Sequence, residues 1–167
     1  MNKSLIRTEL KGEGSQSETM SVIFGHNKEN FQIDNEVIHL GNKSHSNMLS
    51  RVVLDDDAIA NYNGLVKVNL NAKNCKGYQK KETILLSENA KINAVPNLEI
   101  QNNDVMCSHG ATISQIDSNK LFYMMSRGIN KKDAKKIIIE GFFDPILSRL
   151  KEESIEDEVK EAISRRL

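Results

Sequence analysis

Two patterns of hydrophobic and polar positions divide the chain. From residue 21 to about residue 105, short β-branched runs alternate with turn residues. The runs are SVIF (21–24), EVIHL (36–40), RVVL (51–54), LVKVNL (65–70), TILL (83–86) and NLEI (97–100). Each has the length and composition of a strand. Asn, Gly, Asp, Ser and Lys fill the gaps, and these tolerate tight turns. The runs recur roughly every fifteen residues, and no helical stripe connects them. Short strands at a near-regular spacing predict a sandwich or a β-solenoid.

After Asp117 the period becomes helical. In SNKLFYMMSRG, Leu121, Met124 and Met125 share a helical face, and Gly128 reads as the stop. Asn130 reads as an N-cap, with Asp133 in the first turn. Ala134, Ile137, Ile138, Gly141 and Phe142 follow at helical spacing as the expected buried face. Asp144-Pro145 reads as the start of a further helix, with Ile146, Leu147 and Leu150 apolar. Ser154 and Asp157 resemble a capping box ahead of a last stripe, Ile155, Val159, Ala162 and Ile163. The expected division is a β core over residues 1–117 and a small helical subdomain over 118–167.

Composition narrows the β reading. Aromatics make up 5% of the 167 residues and Trp is absent, which suits thin stacked layers filled by small branched aliphatics. The 23 basic and 23 acidic residues balance, and no basic stripe with interleaved aromatics marks a nucleic-acid binder. No apolar run reaches transmembrane length and the N-terminus lacks a signal core. We therefore expect a cytoplasmic protein, not inserted in a membrane, with reduced thiols. Neither a phosphate-binding G-x-x-x-x-G-K-[ST] loop, a G-x-S-x-G elbow nor an H-E-x-x-H pair occurs. No nucleotide site and no enzyme activity are expected.

The chemistry concentrates in NNDVMCSHGATISQID (102–117), which holds Cys107 and His109. If this stretch is extended, Val105, Cys107 and His109 share one face. Thiolate suits iron and zinc, and imidazole can replace thiolate on a cluster iron. Two donors are too few for a stable site, so a partner chain would supply the rest. The competing reading is two core residues at a strand end. Cys75, in NAKNCKGYQ, reads as an inert loop or strand-end residue. His26, His39 and His45 read as surface or packing residues, and Phe122–Tyr123 and Phe142–Phe143 as helix core.

The run DVMCSHGATISQIDSNKLFYMMSRGINKKDAKKIIIEGF resembles the C-terminal signature of the SufB/SufD family, with its CSHGAT, LFY, SRGI and GF elements. Upstream, TILLSENAKINAVPNLEI and GLVKVNLNAKNCKGYQ fit the same pattern. The resemblance implies a parallel β-helix with a C-terminal helical subdomain. It also implies a non-enzymatic role in iron–sulfur cluster assembly beside a SufC-type ABC ATPase, paired with a SufB-like or identical chain. The chain reads as a short form without the family's N-terminal helical region. Ser108 and Gly110 flank His109 where the SufB type has acidic residues, so the likeness is to the SufD type. The SufB type also has a scaffold cysteine before the Leu pair; here that place reads KKETILL. The implied metal ligands are Cys107 and His109, on a transient cluster shared with the partner. The alternative implied role is a degenerate SufD-like module that dimerises or docks the ATPase without iron.

Overall fold

The computed structural model describes residues 1–149 and 153–166. The first coil holds β1 (Asn2–Leu10) and β2 (Gln16–Gly25), and the second β3 (Asn30–His39) and β4 (His45–Leu54). The third holds β5 (Ile59–Val68) and β6 (Cys75–Leu85), and the last β7 (Lys91–Ile100) and β8 (Val105–Gln115). One parallel sheet runs β1-β3-β5-β7 and the other β2-β4-β6-β8. The chain is thus a β-solenoid, and each coil gives one strand to each sheet. The fifteen-residue spacing of the sequence is half a coil. Strand partners are 29 residues apart at Asn2–Phe31 and 32 apart at Ile59–Lys91.

Alternation along each strand decides what lies inside. In β4, Ser46, Met48, Ser50, Val52 and Leu54 are buried while His45, Asn47, Leu49 and Arg51 are less so. Stacked inward residues form two apolar clusters, one around Val37, Met48, Val66 and Val68, the other around Val52, Leu54, Ala58 and Ala60. The apolar runs seen in the sequence are only the later halves of most strands. Their earlier halves are polar, yet pair coil to coil through backbone groups that ignore side-chain type. Small polar residues fit the interior when they bond one another, as Ser21 does to Ser50 at 2.8 Å. The turns stack too: Gly14, Lys43 and Asn74 all have positive φ, and each donates its N–H to the turn of the next coil. Asn27 and Asp56 repeat that backbone at the opposite edge, where short polar side chains tolerate it.

Three helices follow: α1 (Ser118–Ser126), α2 (Lys131–Leu147) and α3 (Glu153–Arg166). The end of α1 and the start of α2 are as expected. Gly128 ends α1 at φ 89, and Asn130 accepts the Asp133 N–H at 2.9 Å. The expected new helix at Asp144-Pro145 does not form, because α2 continues through Pro145. A proline there forfeits one bond to the carbonyl of residue 141 and presses its ring toward it. The lost bond falls in the last turns of α2. The buried face also differs from the one expected. Ala134, Ile139, Phe143, Ile146 and Leu147 are buried, whereas Ile137 and Gly141 are exposed and Ile138 and Phe142 half-buried. The run IIIEGFF is apolar on neighbouring faces, so its period leaves the rotation open. Phe24 and Val53 on the outer face of the second sheet fix it by packing with Ile139, Phe143 and Ile163. In the last stripe Ile163 is buried and Val159 half-buried, while Ile155 is exposed. Ser154 lies inside α3 instead of capping it, and Leu150 falls outside the described residues. Arg51 fastens the helices to the sheet. It bonds Glu82 at 2.8 Å, donates to the Phe142 carbonyl, and sits 5.0 Å from the Phe142 ring.

Candidate functional site

β8 is the outer strand of its sheet. It pairs with β6 on one side, and among the described residues no strand pairs with its other edge. VMCSH is extended, so Val105, Cys107 and His109 do share a face. Their register partners are Cys75, Gly77 and Gln79, all buried. The shared face is therefore the inward one, at a coil with no described coil stacked beyond it. Cys107 is half-buried and packs beside the cluster of Val66 and Cys75. His109 is exposed.

Gly77 explains how Cys107 sits. A Cβ there would lie 3.1 Å from Cys107 Sγ and 2.8 Å from Val66 Cγ1. The missing side chain is the seat of the sulfur. Burial pushes the Cys107 thiol up, while the Gly77 N–H pulls it back in part. Metal binding would have to displace that proton. Among the described residues, no group of three or more His, Cys, Asp or Glu could hold a metal ion. Cys107 and His109 thus offer two donors of types suited to an iron–sulfur cluster, and an incomplete set.

Cys75, read from sequence as inert, is the first residue of β6 and is fully buried. It lies 3.3 Å from Ser44 Oγ, which itself meets His39 Nδ1 at 2.8 Å; His39 Nε2 meets Ser46 Oγ at 2.8 Å. Both ring nitrogens of His39 are thereby used, and burial lowers its pKa. His39 is a packing residue, as expected, although wholly internal. Sequence reasoning missed a polar group deeper in the solenoid: Asn35, Tyr62, Gln79, Lys81 and Thr83, all buried. The signal was the alternation of YQKKETILL. Counting back from the strand-like TILL in steps of two puts Lys81 and Gln79 on the face of Thr83.

This architecture, a parallel two-sheet solenoid with helices docked on one outer sheet, defines a class of β-helix proteins whose terminal strand displays a thiol and an imidazole. Residues 1–142 match the model of the SUF system FeS cluster assembly SufBD core domain. The chain belongs to the SufB/SufD family. It is 31% identical over 160 residues to the iron–sulfur cluster assembly protein SufD of Bacillus subtilis, covering 96% of this chain and 37% of that protein. Against SufD of Escherichia coli the identity is 32%, over 96% of this chain and 38% of the relative. An iron–sulfur cluster assembly SufBD family protein of Galdieria sulphuraria is 32% identical over 84% of this chain and 64% of its own length. The chain spans well under half the length of the two SufD proteins. No described helix is long and apolar enough to cross a membrane.

Proposed function

We propose that this chain is a SufD-like, non-enzymatic subunit of iron–sulfur cluster assembly, lending Cys107 and His109 to a transient cluster completed by a partner chain. The observation that carries this reading is the pair of inward-facing donors on the outer strand of the last coil. Two donors cannot hold a cluster alone, and the open edge of β8 is where a second chain can approach. That chain is a SufB-like subunit or a second copy, and the cluster is cargo. A SufC-type ATPase supplies nucleotide chemistry, docking on the helices. There α1 buries no residue and leaves Phe122 74% and Tyr123 58% exposed, an aromatic surface of the kind that interfaces use. The test is an anaerobic iron and labile-sulfide assay on the complex purified from its host. Iron and sulfide lost with Cys107→Ala and His109→Ala support the reading. Unchanged content assigns the chain to docking alone.

A further inference from the structure

The Gln79 amide is bonded at one end only. The residue is fully buried, yet its side-chain oxygen Oε1 has no hydrogen-bond partner. Its nitrogen Nε2 donates to the Tyr62 hydroxyl at 3.4 Å. Gly64 makes room for the amide, since a Cβ there would lie 1.6 Å from Nε2. Tyr62 is itself buried, so the amide is held by its nitrogen and offers its oxygen. A buried carbonyl oxygen without a donor forfeits its hydration for nothing, and each such group in a folded chain calls for an explanation.

The register of the sheet identifies the donor. Gln79 has two partners in the adjoining strands, Met48 in β4 and His109 in β8. Met48 is buried, and a thioether donates nothing. His109 carries an imidazole N–H. Adjacent strands run about 4.8 Å apart, a step that an imidazole spans. Its neighbours on the same face of β8 do not compete: Cys107 is seated over Gly77, and Ala111, over Lys81, has only a methyl. Lys81, two residues along β6, has its Nζ over the Tyr62 ring, 4.6 Å from the centroid. His109 is exposed at the open end of the last coil, so its ring is free to turn down onto the amide.

A histidine that ligates metal offers the lone pair of one ring nitrogen, and the hydrogen bond made by the other nitrogen decides which one that is. Outer-shell acceptors of this kind also fix the direction of the ring. We propose that Gln79 is the positioning residue of His109: Oε1 accepts the imidazole N–H, and the opposite nitrogen is left bare toward the open end of the coil. The inference rests on the role proposed above for His109 as a donor to a shared cluster. Gly77 then seats the thiol, and Gln79, two residues on along the same face, braces the imidazole. Tyr62 anchors the amide so that it does not follow the ring.

The test is nitrogen-resolved NMR of the histidine side chains in the full 167-residue chain, at a pH where imidazole is neutral, with His109→Ala to assign the signals. An exposed imidazole N–H exchanges with water too fast to be seen. One bonded to Gln79 gives a resolved proton signal and a single tautomer. The His109 N–H should be seen in the parent chain and in Lys81→Met, vanish in Gln79→Met, and survive in Gln79→Glu, which keeps an acceptor oxygen. Tyr62→Phe, which releases the amide nitrogen, should weaken it. No His109 N–H signal in the parent chain, or one equally strong in Gln79→Met or Tyr62→Phe, overturns the proposal. On the complex purified anaerobically, Gln79→Met should hold iron roughly tenfold more weakly against a chelator, and Gln79→Glu should restore it. Equal retention by Gln79→Met overturns the positioning role. The two readings fail separately. Iron lost with His109→Ala, but without a protected N–H in the parent, keeps the donor and overturns the part given to Gln79. A protected N–H with iron unmoved by His109→Ala keeps the hydrogen bond and overturns the donor role on which positioning depends.

Discussion

Cys107 lies in register over Gly77, and a methyl group added at Gly77 would come within 3.1 Å of its sulfur. The two residues are one feature: the thiol keeps its half-buried position because the coil before it has no side chain there. Gly77→Ala should therefore expel the sulfur. We expect a stability loss of about 1–3 kcal/mol from overpacking. Cys107 should also react faster with a thiol reagent, followed in a Cys75→Ser background. An unchanged rate would show that Gly77 does not seat the thiol.

The later halves of β2 to β7, the end of α1 and the start of α2 were legible in the sequence because each rests on local chemistry, whereas β1 carries no apolar run and the caps expected at Asp144-Pro145 and Ser154 do not form. Asn130 caps α2 through its own side chain, and the strand runs alternate. The rotation of α2 was not legible, because it is decided by Phe24 and Val53, more than eighty residues upstream in sequence. That Cys107 and His109 share a face was legible because they stand two apart in an extended stretch. Lys81 was missed because lysine is expected outside, although alternation back from TILL puts it on the inward face of Thr83.

The pH dependence of stability should report that inward placement. The ammonium of Lys81 has its pKa lowered to about 7 from 10.5, so the folded state binds fewer protons than the unfolded state between those values. Stability from this group rises with pH across that window, and its penalty is fully present below about 7. The parent chain should gain a few kcal/mol relative to Lys81→Met between pH 7 and pH 10, an order-of-magnitude figure. At pH 7 Lys81→Met should be the more stable chain. Parallel pH profiles of the two would place Lys81 in water.

The helical segment should separate docking from folding. Phe143 is fully buried against Val53 and Ile139, so Phe143→Ala should cost about 3–5 kcal/mol by equilibrium unfolding. Phe122 and Tyr123 are exposed, so Phe122→Asp and Tyr123→Asp should leave unfolding unchanged within about 0.5 kcal/mol. Both should weaken binding of the SufC-type ATPase in a titration. ATPase binding untouched by either would move the docking surface away from α1.

Self-association should run through the last coil. β7 and β8 each lack a described strand on their outer edge, and such edges template pairing. Light scattering at micromolar concentration should show a dimer when no SufB-like chain is present. Single cysteines along residues 98–104 should cross-link it. A monomer, or a dimer cross-linked only through the helices, removes the shared site.

The most direct measurement of the central claim is iron–sulfur maturation by complementation with His109→Ala, read beside thermal unfolding of the same variant. His109 is exposed, so its truncation should cost about 1 kcal/mol or less. Maturation should fall sharply while Tm stays within a few degrees of the parent. Normal maturation with His109→Ala in a folded chain would contradict the role given to the last coil.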